Sequence, residues 1–120
     1  MQKSIKALSN ALNGIRNAFI NERNFRTEIF CAFVAITMGF ILSIEIVYWL
    51  ILVINICFVL TAELFNTAIE KLANVACKEI NPFVKIIKDV AAAAVVMSVF
   101  SAFVCGLIIF IPSLLKFSSL

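Results

Sequence analysis

One segment of this 120-residue chain decides the fold, because it joins a long apolar run to three regularly spaced polar residues: IVYWLILVINICFVLTAELFNTAIE, residues 46–70. The apolar run ends at Ala62, and Glu63, Asn66 and Glu70 follow at positions i, i+3 and i+7. On an α-helix these three side chains share one face. A helix leaving a bilayer here would carry carboxylates at membrane depth, where they are costly and usually functional.

The composition indicates an integral membrane protein. Hydrophobic residues make up 63% of the chain, whereas soluble domains contain about 45–50% apolar residues. The mean hydropathy of +1.09 points the same way. The length fits a single membrane domain over residues 1–120. The net charge of +3 is small and dispersed, so we expect no nucleic-acid partner.

Hydropathy patterning predicts an all-α membrane fold with four helices. The first, within residues 1–26, is amphipathic, and its apolar side chains recur at helical spacing: Ile5, Leu8, Leu12, Ile15 and Phe19. We expect it to lie in the bilayer interface, and a helix packed on a protein core is the alternative. Residues 27–44, 46–70 and 90–115 are the predicted transmembrane helices, with Glu45 marking the hairpin between the first two.

The basic residues predict the orientation of these spans. They cluster before the first span and between the second and third: Lys3, Lys6, Arg16, Arg23 and Arg26, then Lys71, Lys78, Lys85 and Lys88. Short loops rich in Lys and Arg remain on the cytoplasmic side of a membrane. The N-terminus and the loop between the second and third spans are therefore predicted to be cytoplasmic.

Acidic side chains converge on that predicted cytoplasmic side. Glu22 and Glu28 end the surface helix, while Glu63 and Glu70 lie at the inner end of the second span. Oxygen ligands of this kind suit Mg²⁺, which takes one or two protein carboxylates together with substrate phosphates. The alternative is that Glu22 and Glu28 merely pair with neighbouring arginines.

The third span begins with Lys88 and Asp89. A lysine there offers a point charge for phosphate oxygens, although the pair could instead be a simple interfacial anchor. The chain contains no histidine, so carboxylates are the plausible general bases near pH 7. Its three glycines form no Gly-rich phosphate loop, so a nucleotide site would differ from those of soluble kinases. The four cysteines are scattered, which argues against a zinc site.

Four segments, in this order, resemble the small bacterial membrane lipid kinases, the diacylglycerol kinase and undecaprenol kinase family. They are NERNFR at 21–26, AELFNTAIE at 62–70, NP at 81–82 and KDVAAAAV at 88–95. The resemblance implies a homotrimer of three-span protomers in the bacterial cytoplasmic (inner) membrane. It implies that ATP phosphorylates a lipid hydroxyl at the cytoplasmic interface, converting diacylglycerol to phosphatidic acid, with undecaprenol as the alternative lipid.

The resemblance also implies residue roles. Glu63 corresponds to the proton acceptor, and Glu22 and Glu70 to the Mg²⁺ ligands. The implied nucleotide-binding residues are Glu22, Glu70, Asn74, Lys88, Asp89, Lys3 and Asn10. The implied substrate-binding residues are Arg26, Glu28, Asn66 and Ala92.

One position departs from the family pattern, which has an aspartate where this chain has Asn74. Asn74 lies one helical turn beyond Glu70, so its amide is expected on the same face and approaching the nucleotide, where it could hydrogen-bond a ribose or a metal-bound water. If so, Asn74→Asp would preserve or improve activity at limiting Mg²⁺. The alternative is a solvated loop residue.

A non-enzymatic class competes with the kinase interpretation. In a small helical membrane assembly subunit, Glu63, Asn66 and Glu70 would only hold protomers together. That interpretation leaves Glu22 and the Lys88–Asp89 pair unexplained.

Overall fold

The computed structural model describes residues 1–119, and its regular structure in that range is entirely helical. Four helices follow one another: α1 (Gln2–Asn21), α2 (Arg23–Ile41), α3 (Ile46–Ala76) and α4 (Pro82–Ser118). The last three are long and apolar enough to cross a membrane. The predicted all-α fold, with three apolar helices after an N-terminal one, is confirmed.

The helix bounds differ from the predicted ones. The surface helix ends at Asn21 instead of residue 26, and α2 stops at Ile41 instead of residue 44, while each of the three apolar helices extends beyond its apolar run at one or both ends. α2 begins at Arg23, α3 continues to Ala76, and α4 begins at Pro82. Hydropathy marks the part of a helix that meets lipid, whereas backbone hydrogen bonding continues into the polar ends. Asn81 caps α4, since its Oδ1 accepts a 2.8 Å hydrogen bond from the N–H of Phe83, and a proline at the first helical position favours the same start. The polar residues around this turn are therefore held on helices.

α1 is fixed to the bundle through the α1–α2 junction. Nη1 of Arg26 donates hydrogen bonds of 2.8 Å to the carbonyls of Phe19 and Ile20, which lack helical partners at the end of α1. From α3, Nζ of Lys71 donates to Oδ1 of Asn17 at 3.0 Å. These contacts place the junction beside the C-terminal half of α3.

α3 is the central helix, since α1, α2 and α4 all pack on it. Near the hairpin, Ile44, Leu52 and Ile109 form a small buried core. Farther along, Oγ of Ser101 donates to Oδ1 of Asn55 at 3.0 Å, which joins α4 to α3. Interhelical hydrogen bonds in lipid are worth about 0.6–2 kcal/mol. Most other large apolar side chains face outward, as expected for a protein solvated by lipid.

Gly39 allows the α2–α3 hairpin to close. A methyl group at this position would lie 2.8 Å from Cη2 of Trp49 and 3.2 Å from Cδ1 of Ile44. We expect Gly39→Ala to destabilise the protein by about 1–3 kcal/mol, because the added carbon overpacks the contact. Thermal unfolding in detergent measures this. Gly106→Ala is the matched control, since a methyl there has nothing within 4 Å; equal melting temperatures for the two variants would contradict the prediction.

Candidate active site

The polar face of α3 is buried in the C-terminal half of the helix. Glu63 is 3% exposed, and Asn66 and Thr67 are also buried. α1 covers part of this face, because Ala18 and Thr67 line one shared cleft between the two helices. Glu63 and Asn66, which their spacing predicts to share one face of α3, thus lie inside the protein.

Three other carboxylates gather around Glu63, which makes a cluster of four. Glu28, from α2, lies close enough to Glu63 for the two side chains to share a hydrogen bond. Glu70 and Glu22 are near enough for their charges to act on Glu63. The cluster therefore combines the α1–α2 junction, α2 and α3.

Two oxygen atoms in the cluster are buried without a hydrogen-bond donor among residues 1–119, Oε2 of Glu28 and Oδ1 of Asn66. Burying an acceptor without a partner costs about 1–3 kcal/mol. The amide of Asn66 points its nitrogen toward Oε1 of Glu70, at 3.5 Å, which leaves its oxygen free. The site can therefore accept a hydroxyl donor from a ligand.

Positive charge around the cluster is sparse. Within residues 1–119, Lys71 alone forms an ion pair with one of the four carboxylates, with Nζ 3.9 Å from Oε1 of Glu22. The same residues include no group of three or more Asp, Glu or Cys side chains placed to hold a metal by themselves. A Mg²⁺ ion needs only one or two protein carboxylates when phosphates supply further oxygens. Glu22 and Glu70 are a donor set of that kind.

A second polar group lies where α3 turns into α4. Nζ of Lys88 donates a short hydrogen bond to Oδ1 of Asn74. Lys85 and Asp89, one turn apart on α4, form an ion pair of 2.7 Å. A cavity of about 340 Å³ opens at this turn, and its lining includes Asn74, Lys78, Glu79 and Lys88.

An apolar groove leads away from the carboxylates. It has a volume of about 320 Å³ and is lined by α2, α3 and α4, with Glu28 at one end and Phe110 at the other. Small residues, among them Ala35, Ala102 and Gly106, keep it open. The site thus pairs a carboxylate cluster with an apolar channel.

Comparison with known proteins shows the family of this chain. The family model of prokaryotic diacylglycerol kinase matches residues 9–110. The chain belongs to the prokaryotic diacylglycerol kinase family. The undecaprenol kinase of Bacillus subtilis is 32% identical over 95% of this chain and 93% of its own length. The diacylglycerol kinase of Synechocystis is 33% identical over 86% of this chain and 59% of that protein. The diacylglycerol kinase of Escherichia coli is 29% identical over 82% of this chain and 80% of its own length. The chain is thus a lipid kinase and a multi-pass membrane protein.

Within this diacylglycerol kinase fold, the predicted site residues fall into separate groups. One group surrounds Glu63 and contains Glu22, Glu28, Asn66 and Glu70. A second contains Asn74 and Lys88, and Asp89 is held nearby by Lys85. The roles assigned to these residues remain predictions.

The other predicted residues lie apart from these two groups or serve the fold. Lys3 and Asn10 are exposed on α1, and Ala92 is exposed on α4. Arg26 binds the end of α1. Their contacts with nucleotide or lipid remain predictions as well.

Sequence reasoning missed some of the residues that support this kinase site. Lys85 stands four residues before Asp89, so the i, i+4 spacing was a usable signal for their ion pair. The hydrogen bond between Lys71 and Asn17 joins residues 54 positions apart. No local pattern marks a contact of that kind.

Proposed function

We propose that this lipid kinase transfers the γ-phosphate of ATP to diacylglycerol, forming phosphatidic acid at the cytoplasmic interface of the bacterial inner membrane. The N-terminus and the α3–α4 turn lie on the cytoplasmic side in this proposal. The observation that carries it is the position of Glu63, a buried carboxylate close to other carboxylates, one of which, Glu28, lines an apolar groove. Such a site can bind an apolar lipid tail next to charged groups that act on the lipid hydroxyl.

Glu63 acts as the general base in this proposal. The lipid hydroxyl oxygen attacks the γ-phosphorus, its proton passes to the Glu63 carboxylate, and the bond from phosphorus to the bridging oxygen breaks to release ADP. Phosphoryl transfer depends mainly on positioning and electrostatic stabilisation. The single O–H of the lipid donates to one acceptor at a time, and the unpartnered oxygens of Glu28 and Asn66 are the acceptors that can receive it as the lipid enters, before it turns to Glu63.

The donor set at the cluster fits a divalent cation. Glu22 and Glu70 would hold Mg²⁺, which neutralises charge on the ATP phosphates when bound. Support comes from the excess of negative charge in the cluster, since its ion pair with Lys71 is long, at 3.9 Å. The carboxylates also repel the negatively charged phosphates of ATP that carries no metal. They therefore favour binding of ATP complexed with Mg²⁺ near Glu63.

The nucleotide extends from this cluster toward α4. Lys88 and Asp89 contact it together with Asn74, and Lys3 and Asn10 of α1 approach from the interfacial side. The protein works as a homotrimer, and Arg26 and Ala92 contribute to the lipid-binding region. The resemblance of the motif segments supports these assignments, and native mass spectrometry in detergent tests the trimer directly.

The apolar groove takes the lipid tail. Along α4 it follows the helix from Val99 to Phe110, about 16 Å at ~1.5 Å per residue. This length suits most of an acyl chain, whereas the polyprenyl chain of undecaprenol is several times longer. The groove therefore favours diacylglycerol.

Filling the groove should weaken lipid use selectively. We expect Gly106→Leu to raise the KM for lipid roughly tenfold and to leave the KM for ATP unchanged. A few added carbons in a hydrophobic pocket change the binding of an apolar chain by about this factor. Steady-state kinetics in mixed micelles measures both constants. Ile108→Trp adds bulk on the outward face of the same helix, where the native side chain is 58% exposed, and should match wild type. Equal effects of the two variants would exclude the groove as the tail site.

Undecaprenol phosphorylation is the second candidate function. It is favoured by the Bacillus subtilis relative of that name, which matches 95% of this chain. Purified protein should be assayed with ATP and each lipid side by side. We expect the larger kcat/KM with diacylglycerol, and a larger value with undecaprenol would replace the first proposal by the second.

A further inference from the structure

The hydrogen bond between Ser101 and Asn55 lies in the apolar part of the α3–α4 contact. Oγ of Ser101 donates to Oδ1 of Asn55 at 3.0 Å, and Nδ2 of Asn55 donates to the carbonyl of Ile51, on its own helix, at 2.9 Å. Asn55 is the only Asn, Gln or charged residue in the run from 46 to 62. An amide in apolar surroundings is costly unless its polar atoms are paired, so the two residues form a directional contact where the rest of the run is apolar.

The other buried residues of α4 offer less resistance to sliding along α3, the helix on which α4 packs extensively. They include Ala91 and Ser98, and the Ser98 hydroxyl donates to the carbonyl of Val95 on α4 itself, at 2.7 Å. Small side chains let helices approach closely, but they form shallow ridges, which interlock weakly. The directional contact between Ser101 and Asn55 therefore favours one register of α4 on α3.

This register decides how the two groups of candidate site residues face each other. Glu63 and Glu70 belong to α3, whereas Lys88 and Asp89 belong to α4. A slide of α4 by one residue moves it by ~1.5 Å, and a misplacement of ~1 Å can lower a rate by about 10². The hydrogen bond from Lys88 to Asn74 also joins the two helices, but the long lysine side chain can follow such a shift.

We propose that Ser101 and Asn55 are positioning residues, which fix the register of α4 on α3 and so hold the lysine and aspartate of α4 opposite the carboxylates of α3. The inference rests on the proposed kinase function for the roles of those two groups. A direct contact with the lipid tail is a different role for the amide. Asn55 lines the apolar groove and Ser101 is not among its lining residues, so a tail contact would involve Asn55 alone.

The test removes the hydrogen bond from each side and then rebuilds it in the opposite direction. Ser101→Ala and Asn55→Leu each remove it, and the exchange variant, Asn55→Ser with Ser101→Asn, again places a hydroxyl opposite an amide, which can accept its hydrogen bond. Ser113→Ala is the matched control, because the Ser113 hydroxyl donates to Ile109 of its own helix, at 2.7 Å. Full-length protein in nanodiscs is assayed with saturating ATP and lipid, well below the melting temperature of every variant.

The register itself is measured by double electron–electron resonance. Nitroxide labels are placed at Leu72 on α3 and Leu115 on α4, which are both exposed, after the four native cysteines have been replaced by alanine. Labelled protein is diluted with unlabelled protein, so that the distances are those within one protomer. Because the two labels lie toward opposite ends of the antiparallel pair, sliding of α4 along α3 changes the distance between them.

We expect each single variant to lower kcat roughly tenfold, because the reacting groups are less well aligned, and to broaden the distribution of label distances. The KM values should change less than about threefold. The exchange variant should return both kcat and the distances to near wild type, and Ser113→Ala should match wild type throughout. A merely structural role would lower the melting temperature without changing kcat or the label distances.

Three results would overturn the inference. They are wild-type label distances in both single variants, an exchange variant that regains the distances but not kcat, and a raised KM for lipid in Asn55→Leu with no effect of Ser101→Ala, which indicates a tail contact. Failure of the kinase function itself gives a different pattern. Wild type would then phosphorylate no lipid, while the single variants would still broaden the label distances, which supports the register role alone.

Discussion

Replacing Glu63 by glutamine is expected to lower the rate of lipid phosphorylation by on the order of 10²–10⁴, the usual contribution of a general base. The amide keeps the shape of the buried side chain, which is 3% exposed, but it cannot accept the hydroxyl proton. Binding of ATP and lipid should change little, so the loss should appear in kcat. Single-turnover assays with saturating substrates measure it.

Glu45→Gln is the matched control for this variant. Glu45 is an exposed carboxylate at the α2–α3 hairpin, just before the start of α3, whereas Glu63 lies in the C-terminal half of that helix, and the amide variant of Glu45 should retain wild-type turnover. Melting temperatures of the two variants in detergent should be similar. Near-wild-type turnover in Glu63→Gln would remove this residue from the mechanism.

The second large effect concerns Glu22 and Glu70. Alanine at either position should lower kcat/KM at subsaturating Mg²⁺ by on the order of 10²-fold. The reason is weaker binding of Mg²⁺, the cation that stabilises the charge on the phosphates. Activity should partly return at high Mg²⁺. The double variant should be little worse than the poorer single variant, since ligands of one ion act as a unit.

Metal binding itself provides an independent measurement for these two residues. Electron paramagnetic resonance of Mn²⁺ titrated into the protein with ADP should show weaker binding in each alanine variant and wild-type binding in Glu45→Ala. Strictly additive losses in the double variant, or unchanged Mn²⁺ binding, would show that Glu22 and Glu70 serve separate roles.

The fold was predictable because lipid imposes a strong pattern on sequence. Long apolar runs reveal α2, α3 and α4, since a spanning segment must satisfy its backbone internally. The helix ends were less predictable, because polar residues continue a helix outside the bilayer without any change in hydropathy. The early start of α4 depends on Asn81 and Pro82, whereas the apolar run predicted a span beginning only at residue 90.

The candidate site was predictable where it lies on one helix. Helical spacing alone groups Glu63, Asn66 and Glu70, and the structure shows the first two buried. The approach of Glu28 from α2 and the pairing of Asn74 with Lys88 depend on how helices pack. Packing in lipid follows shape complementarity more than any sequence period, so these contacts required the structure.

The most direct test of the proposed kinase follows the terminal phosphate of ATP. Purified protein is incubated with γ-labelled ATP, Mg²⁺ and diacylglycerol in mixed micelles, and label in the extracted lipid is compared with the ADP formed. We expect equal amounts of labelled phosphatidic acid and ADP in the wild type, and background levels of both in Glu63→Gln. ADP without labelled lipid, or equal labelling by the wild type and Glu63→Gln, would contradict it.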